Sequence, residues 1–177
     1  TYPLSHNRIR HIYEDKEQQL WIATDGSINR YDYATRQFIH YNIVDNTGTY
    51  NTNWTYYIFE DTAGQLWIST CLGGIFVVDK HKLMQSTSGQ YIAEQNYSVH
   101  NGLSGMFINQ IIPDNEGNVW VLLYNNKGID KINPRTREVT KLFADELTGE
   151  KSPNYLLCDE DGLLWVGFRG GVMRINP

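Results

Sequence analysis

Tryptophan recurs along the chain at a nearly regular interval. Trp21, Trp67, Trp120 and Trp165 are separated by 46, 53 and 45 residues. This spacing is typical of β-propeller blades, each of which is built from several short strands. A unit of this size cannot bury its apolar surface alone, so successive units are expected to pack against one another in series.

The surroundings of each tryptophan repeat as well. An Asp lies six residues before each Trp, at Asp15, Asp61, Asp114 and Asp159, and a Gly lies three residues before it in three units, at Gly64, Gly117 and Gly162. An Asp at the start of a tight turn accepts backbone N–H groups, and Gly supplies the positive φ that closes the turn. Gln18 stands at the Gly position of the first unit, so it must adopt that conformation or change the turn.

Alternation of apolar and polar residues around each turn predicts paired strands. The predicted first strands are 8–13, 54–59, 108–113 and 154–158, and the second strands are 20–24, 66–70, 119–123 and 164–168. Third strands are predicted at 28–33, 75–79, 129–133 and 172–176. Outer strands are predicted at 37–41 and 138–143, and at 91–95 inside a longer polar excursion over 80–101. The fourth unit stops before an outer strand.

These patterns predict an all-β protein, a β-propeller fragment of about four blades of four antiparallel strands with the last blade incomplete. We expect one partial propeller domain over 1–177, with blade repeats at approximately 7–41, 52–96, 107–143 and 153–177. Both ends look cut from a longer chain, since the sequence starts at Thr1 without Met and ends within a repeat. An open arc exposes apolar blade faces, which predicts a homo-oligomer.

Charge and apolar run length exclude two classes of partner. The net charge is −5, with 20 acidic and 15 basic residues, so no basic field is present to attract nucleic acid. The longest apolar runs are about five residues, far short of the roughly 20 needed to cross a bilayer. We therefore expect no nucleic-acid partner and no direct membrane insertion by this segment.

The sequence lacks the usual signatures of catalytic chemistry. The five histidines, His6, His11, His40, His81 and His100, lack the paired spacing of a zinc site. No Gly-x-Ser-x-Gly elbow or phosphate-binding glycine loop is present. We expect no catalytic residue, no metal and no cofactor in this segment. Cys71 and Cys158 fall two blades apart, so both are expected to be free thiols.

Blade topology predicts where a ligand would bind. The Asp turns lie at one end of the blades, and the variable connections lie at the other. The candidate ligand-binding residues in those connections are Trp54, Phe107, Tyr124, Asn125, Tyr155 and Arg169. Aromatic rings can cover sugar faces, while amides and Arg bind hydroxyl groups, so these residue types suit an oligosaccharide ligand. The repeated Trp, Asp and Gly residues are assigned structural roles, with the tryptophans in the core between blades.

Several segments resemble one known repeat. They are Asn7-Arg-Ile-Arg-His-Ile12, Leu66-Trp67-Ile68-Ser69-Thr70, Asn101-Gly102-Leu103-Ser104, Trp165-Val166-Gly167 and Gly170-Gly171-Val172-Met173-Arg174. Together they resemble the two-component regulator propeller repeat across essentially the whole chain. Departures are Gln18, the polar Asn125-Asn126-Lys127 and the excursion of unit two.

The resemblance implies a periplasmic sensor region of a hybrid two-component protein. Its parent would be a sensor histidine kinase, in which propeller blades precede an immunoglobulin-like domain, a membrane helix and the kinase. Both neighbouring blades and that domain would be partners in the same chain. Family members are commonly oligosaccharide sensors, so this segment is expected to sense carbohydrate without catalysis.

The sequence is compatible with two alternative functions. The blades could form a scaffold or dimerisation surface without a ligand, in which case the four loop aromatics would be buried rather than exposed together. The segment could also resemble a propeller lyase acting on a glycan or lactone-type substrate. A lyase would need a His beside an acid among the loops, for which His6 and His100 are the candidates.

Overall fold

The computed structural model describes residues 3–87, 89–124, 128–142 and 152–176, and it confirms the predicted all-β propeller architecture. The first blade consists of β1 (Ile9–Glu14), β2 (Leu20–Thr24), β3 (Ser27–Asp32) and β4 (Gln37–Tyr41). After β5 (Ile43–Val44), the second blade consists of β6 (Thr55–Glu60), β7 (Gln65–Thr70), β8 (Ile75–Asp79) and, beyond α1 (Lys80–Gln85) and β9 (Tyr91–Ile92), β10 (Gln95–Tyr97). A 3₁₀ turn (Val99–Asn101) leads into the third blade.

The third blade consists of β11 (Ile108–Pro113), β12 (Val119–Leu123), β13 (Ile129–Asn133) and β14 (Glu138–Leu142). The fourth consists of β15 (Pro153–Cys158), β16 (Leu164–Phe168) and β17 (Gly171–Ile175). Each blade is antiparallel and ordered from its first strand outward. Among the described residues the fourth blade has three strands, in agreement with the prediction of an incomplete last blade.

The repeated Asp joins its turn to the second strand. In the first blade, Asp15 Oδ1 accepts the backbone N–H groups of Glu17 and Gln19, both at 2.9 Å. Its Oδ2 accepts the indole N–H of Trp21 at 2.8 Å. The same Asp-to-indole bond recurs in the other blades at 2.9, 3.0 and 2.6 Å, which explains the constant spacing of six residues. Gln18 adopts φ 62, the conformation that Gly holds in the other units.

The core consists of three apolar clusters, each formed between neighbouring blades. Trp21, Trp67 and Trp120 are 0–1% exposed within these clusters. Trp165 is only half-buried, because its side of the fourth blade has no further blade against it among the described residues. The first strands β1, β6, β11 and β15 pack side by side along the inner edge of the arc.

The predicted outer strand at 91–95 is corrected by the structure. Tyr91 and Ile92 instead pair in parallel with Ile43 and Val44, in the connection that leaves the first blade. The second blade takes Gln95–Tyr97 as its outer strand because Tyr97 is buried and stacks on Trp67, with ring centroids 5.6 Å apart. The excursion also contains α1, whose first turn is capped by Asp79 accepting the N–H of Lys82 at 3.0 Å.

Two serine residues attach the connections between blades to third strands. The amide of Ser5 donates to Asn29 Oδ1, and Asn29 Nδ2 donates to Ser5 Oγ, both at 2.9 Å. In the third blade, the amide and hydroxyl of Ser104 donate to the carboxylate of Asp130, both at 2.7 Å. The segment around Ser5 therefore packs on the third strand of the first blade. Within the described residues, no helix is long and apolar enough to span a membrane.

Candidate functional site

Each inner strand contains a register irregularity at the same place. The pairing of first and second strands skips Arg10, Tyr56, Asn109 and Asn154, each five residues before the Asp of its turn. A β-bulge redirects the side chain of the extra residue. These four side chains therefore point towards the loop face, defined as the end of the blades that carries the variable connections.

A cavity of about 340 Å³ opens on the loop face between the first three blades, and we name it the central cavity. It is lined by Arg10, Tyr56, Cys71, Phe107, Ile108, Asn109 and Tyr124. An adjoining depression of about 300 Å³, the inner groove, shares Arg10, Tyr56 and Asn109 and adds His11, Tyr57, Gln110, Asn154 and Tyr155. Bulge residues of all four blades thus meet in one continuous recess.

Arg10 is the charged residue of this recess, and a buried carboxylate neutralises it. Its Nε donates to Asp25 Oδ1 at 2.7 Å and its Nη2 donates to Oδ2 at 3.4 Å. The hydrogen bond from Arg10 keeps the pKa of Asp25 below its usual value, although burial opposes this, and the same bond raises the pKa of Arg10. The guanidinium carbon lies 4.5 Å from the centre of the Tyr56 ring, within the range of a cation–π contact.

Burial keeps the Tyr56 hydroxyl, the Cys71 thiol and the His11 imidazole uncharged near pH 7. Burial raises the pKa values of the Tyr56 hydroxyl and the Cys71 thiol, so both groups stay protonated. Burial lowers the pKa of His11, whose Nδ1 accepts the amide N–H of Ile58 at 3.2 Å. The imidazole stacks on the Tyr57 ring at 3.8 Å between centroids. His11 thus holds the first two blades together as a neutral side chain.

Gln110 holds the third and fourth blades together in a related way. Its Oε1 accepts the amide N–H of Leu156 at 2.7 Å, and its Nε2 donates to the Leu156 carbonyl at 3.0 Å. Both ends of the side-chain amide are therefore used by one backbone residue of the neighbouring inner strand. The wall of the inner groove is set by these contacts before any ligand arrives.

The predicted ligand-binding residues are only partly brought together. Phe107 and Tyr124 line the central cavity, with 40% and 60% of each side chain exposed. Tyr155 lines the inner groove and is 57% exposed. Trp54 is 48% exposed but lies in a separate groove beside Leu72.

Two predicted residues fall outside the recess as described. Arg169 is exposed in the turn between β16 and β17 and lines neither the central cavity nor the inner groove. Asn125 lies outside the described residues. Arg10 and Tyr56 are site residues that were not predicted, although their constant distance from the Asp of the turn could have identified them.

The histidines offer little support for acid–base chemistry. His6 Nδ1 accepts the amide N–H of Arg8 at 3.0 Å, and His100 Nε2 lies 3.3 Å from the Tyr50 hydroxyl. The one His–carboxylate pair within 4 Å in the described part of the chain is His81 with Glu17, at 3.5 Å, away from the recess. In the same residues, no group of three His, Cys, Asp or Glu side chains is positioned to hold a metal ion. Cys71 and Cys158 are both free, as expected.

Comparison with known proteins adds family and cellular location. Residues 3–26 and 102–125 match the two-component regulator propeller family. No curated protein matches the chain. Two crystal structures of the extracellular domain of BT4673 from B. thetaiotaomicron, described as a candidate one-component or hybrid two-component system, are 99% identical with a TM-score of 0.96. The whole of the present chain aligns with each of these structures and covers 24% of its length. The chain therefore spans about a quarter of these relatives.

More distant structures establish the fold alone. The extracellular domain of BT3049, from the same organism and described as a candidate hybrid two-component system, is 20% identical with a TM-score of 0.74, over 97% of this chain and 24% of that one. Virginiamycin B lyase from Staphylococcus aureus is 14% identical with a TM-score of 0.65, over 95% of this chain and 52% of the lyase. The extracytoplasmic location expected from the sequence is confirmed by the near-identical extracellular domains. Two segments of the chain, residues 3–26 and 102–125, therefore match the two-component regulator propeller repeat, and the blade architecture agrees with that match.

Proposed function

We propose that this segment is a non-catalytic part of an extracellular sensor and that it binds a neutral oligosaccharide in the central cavity and inner groove. The observation that carries the proposal is the exposure of Tyr124 and Phe107 together in a cavity that also presents Arg10 and Asn109. Exposed rings can stack on the apolar faces of sugars, while amide and guanidinium groups donate to their hydroxyls.

The charge of the recess supports a neutral ligand. Its one permanent charge, on Arg10, is already paired with Asp25 at 2.7 Å. An acidic sugar would have to compete with that buried carboxylate for the guanidinium. A neutral sugar needs only hydrogen bonds, and Arg10 retains donors beyond those that Asp25 accepts. We therefore expect neutral oligosaccharides to bind more tightly than uronate-containing or sulfated ones.

The same recess offers a physical basis for signalling. Arg10 lies in β1 of the first blade, Tyr56 lies in β6 of the second, and Tyr124 directly follows β12 of the third. A ligand bound in the recess would therefore touch three blades at once. A ligand that contacts several blades stabilises one relative arrangement of them over others. The longer parent protein would transmit that preference across the membrane to a histidine kinase.

The lyase alternative has less support. Catalysis would require an acid–base pair at the recess, yet His11 packs on Tyr57 and accepts the Ile58 amide instead of facing a carboxylate. Similarity to lyases at 14% identity extends to the fold and not to a site.

Exposed apolar residues on the fourth blade support self-association of the isolated chain. Leu157 and Val172 are 52% and 61% exposed on the side of the sheet that faces away from the third blade. We propose that a second copy covers this face. Light scattering should then give a dimer or larger species, and Leu157→Ser should shift it towards monomer. A wild-type monomer at high micromolar concentration would rule this out.

Binding can be tested by titration calorimetry against neutral and acidic oligosaccharides. Tyr124→Ala should weaken binding of any neutral ligand about tenfold or more, since it removes a stacking surface worth at least ~1.4 kcal/mol. Tyr33→Ala is the matched control, because Tyr33 is 57% exposed in the turn between β3 and β4, at the opposite end of the blade. The proposal would be contradicted if both variants had equal effects, or if none of the oligosaccharides gave a binding signal.

A further inference from the structure

Trp54 has a backbone conformation that is disfavoured for a bulky residue. Its φ is 55, in the left-handed region. Two backbone hydrogen bonds hold it there: its N–H donates to the Asp25 carbonyl at 3.0 Å, and its carbonyl accepts the N–H of Cys71 at 2.9 Å. Asp25 is also the carboxylate that fixes Arg10, so Trp54 is tied directly to the wall of the central cavity.

The Trp54 indole differs from the other four in its surroundings. Each of the other tryptophans donates its indole N–H to the Asp of its turn. Trp54 has no hydrogen-bond partner for its indole among the described residues, and 48% of the residue is exposed. An exposed aromatic ring held by strained backbone is the arrangement that binding platforms use.

The groove beside Trp54 has the chemistry of a sugar subsite. It encloses about 340 Å³ and is lined by Trp54 and Leu72 together with the polar Thr49, Tyr50, Asn51 and Asn53. An aromatic plane with amides and hydroxyls at its edge can stack on a pyranose and bond its hydroxyls. None of these residues is charged, whereas the central cavity contains Arg10.

This groove shares residues with one other depression of the loop face and borders a second. Cys71 lines the central cavity, and the next residue, Leu72, lines the Trp54 groove. At the far end, Thr49 and Tyr50 also line a cleft of about 530 Å³ that reaches His100 and Asn96. The Trp54 groove and the cleft are therefore continuous, and the central cavity borders them where Cys71 is followed by Leu72. We name this row of neighbouring depressions the track.

We propose that the ligand is an oligosaccharide of several units that lies along this track, with Trp54 as the stacking platform for a distal unit. This inference rests on the proposed function, and it adds the class of ligand: a chain recognised along its length, with its inner units at Tyr124 and its outer units at Trp54 and Tyr50. Binding then depends on chain length.

A length series tests the inference. Disaccharides to hexasaccharides prepared from neutral β-glucan, mannan, xylan and galactan are titrated against the chain by calorimetry. For the glycan that binds, affinity should rise at least tenfold between the shortest and longest members. Trp54→Gly should abolish that rise while leaving disaccharide affinity within twofold, because glycine accepts φ 55 without strain and the fold is kept.

Two further variants make the outcome decisive. Leu72→Ser, in the same groove, should also reduce the length dependence, whereas Tyr33→Ala at the opposite end of the first blade should not. In wild type, tryptophan fluorescence should change with hexasaccharide and not with disaccharide. If affinity does not depend on chain length, or if Trp54→Gly does not change that dependence, the proposal of binding along the track is wrong. Binding in the central cavity would remain supported. No binding by any member at millimolar concentration overturns the proposed function itself.

Discussion

Replacement of Lys80, in α1, by Met should destabilise the chain strongly. The Lys80 side chain is only 1% exposed. Its Nζ lies 2.8 Å from Glu60 Oε1, 3.2 Å from Asp15 Oδ2 and 3.4 Å from Glu17 Oε2. One ammonium group from the second blade thus connects turn residues of the first blade to an inner strand of the second.

The magnitude follows from the charges left behind. Lys80→Met leaves Asp15 and Glu60 buried without their cation, and breaking a buried ion pair costs about 3 to 5 kcal/mol. Asp15 keeps its bonds to Trp21 and to backbone amides, and half-exposed Glu17 is screened by water, so the lower end applies. A loss of about 3 kcal/mol corresponds to a fall in Tm of roughly 10 °C for a domain of this size.

Thermal and urea unfolding followed by circular dichroism measure the change. Adding Glu60→Gln to Lys80→Met should recover part of the loss, because the second substitution removes one of the two orphaned charges. In wild type, burial would raise the pKa of Asp15, but hydrogen bonds from Trp21, the backbone and Lys80 keep it below its usual value. The stability that the ionised Asp15 carboxylate contributes is present above the ordinary Asp pKa. It is lost as the pH falls through the lowered pKa of Asp15 in the folded state. A Lys80→Met loss below ~1 kcal/mol would refute the argument.

Three further changes follow from the repeat. Gln18→Gly should raise the free energy of unfolding by about 0.5 to 1 kcal/mol in urea titrations, because φ 62 is left-handed. Gln110→Ala should lower it by about 2 kcal/mol, since two backbone groups of Leu156 lose their partners; an unchanged urea midpoint would contradict this. Burial raises the pKa of Asp130. The contribution of Asp130 to the free energy of unfolding therefore weakens as the pH rises from the ordinary Asp pKa to the raised pKa of the folded state. Asp130→Asn should therefore raise the urea midpoint at pH 7 and not at pH 4, since Asn29 makes the equivalent bonds in the first blade.

The hairpins were predictable because their determinants are local. Asp15, Gln18 and Trp21 lie within seven residues, and each interaction of the turn can be derived from residue type and spacing. The same spacing in four units makes the assignment of second strands secure. Local chemistry repeated at a fixed period is the kind of information that a single sequence carries.

The excursion of the second blade was less predictable because its structure depends on distant partners. A helix of six residues such as α1 is not stable in isolation. It forms here where Lys80 reaches carboxylates of the first and second blades. Tyr91 and Tyr97 are both acceptable in strands, and only the available partners, Ile43 for one and the core around Trp67 for the other, distinguish them.

The site was partly predictable, and the missed part has a physical explanation. Exposed loop aromatics such as Tyr124 could be assigned to the loop face by topology, but the bulge residues looked like ordinary strand positions. Their identities, Arg10, Tyr56, Asn109 and Asn154, comprise three residue types in four units, whereas every turn has the same Asp and Trp. Positions that must pack between blades need similar residues in each unit, whereas positions that face a shared cavity are free to differ. In a propeller, departure from the repeat at a fixed position is therefore the sequence signal for the binding surface, just as agreement is the signal for the scaffold.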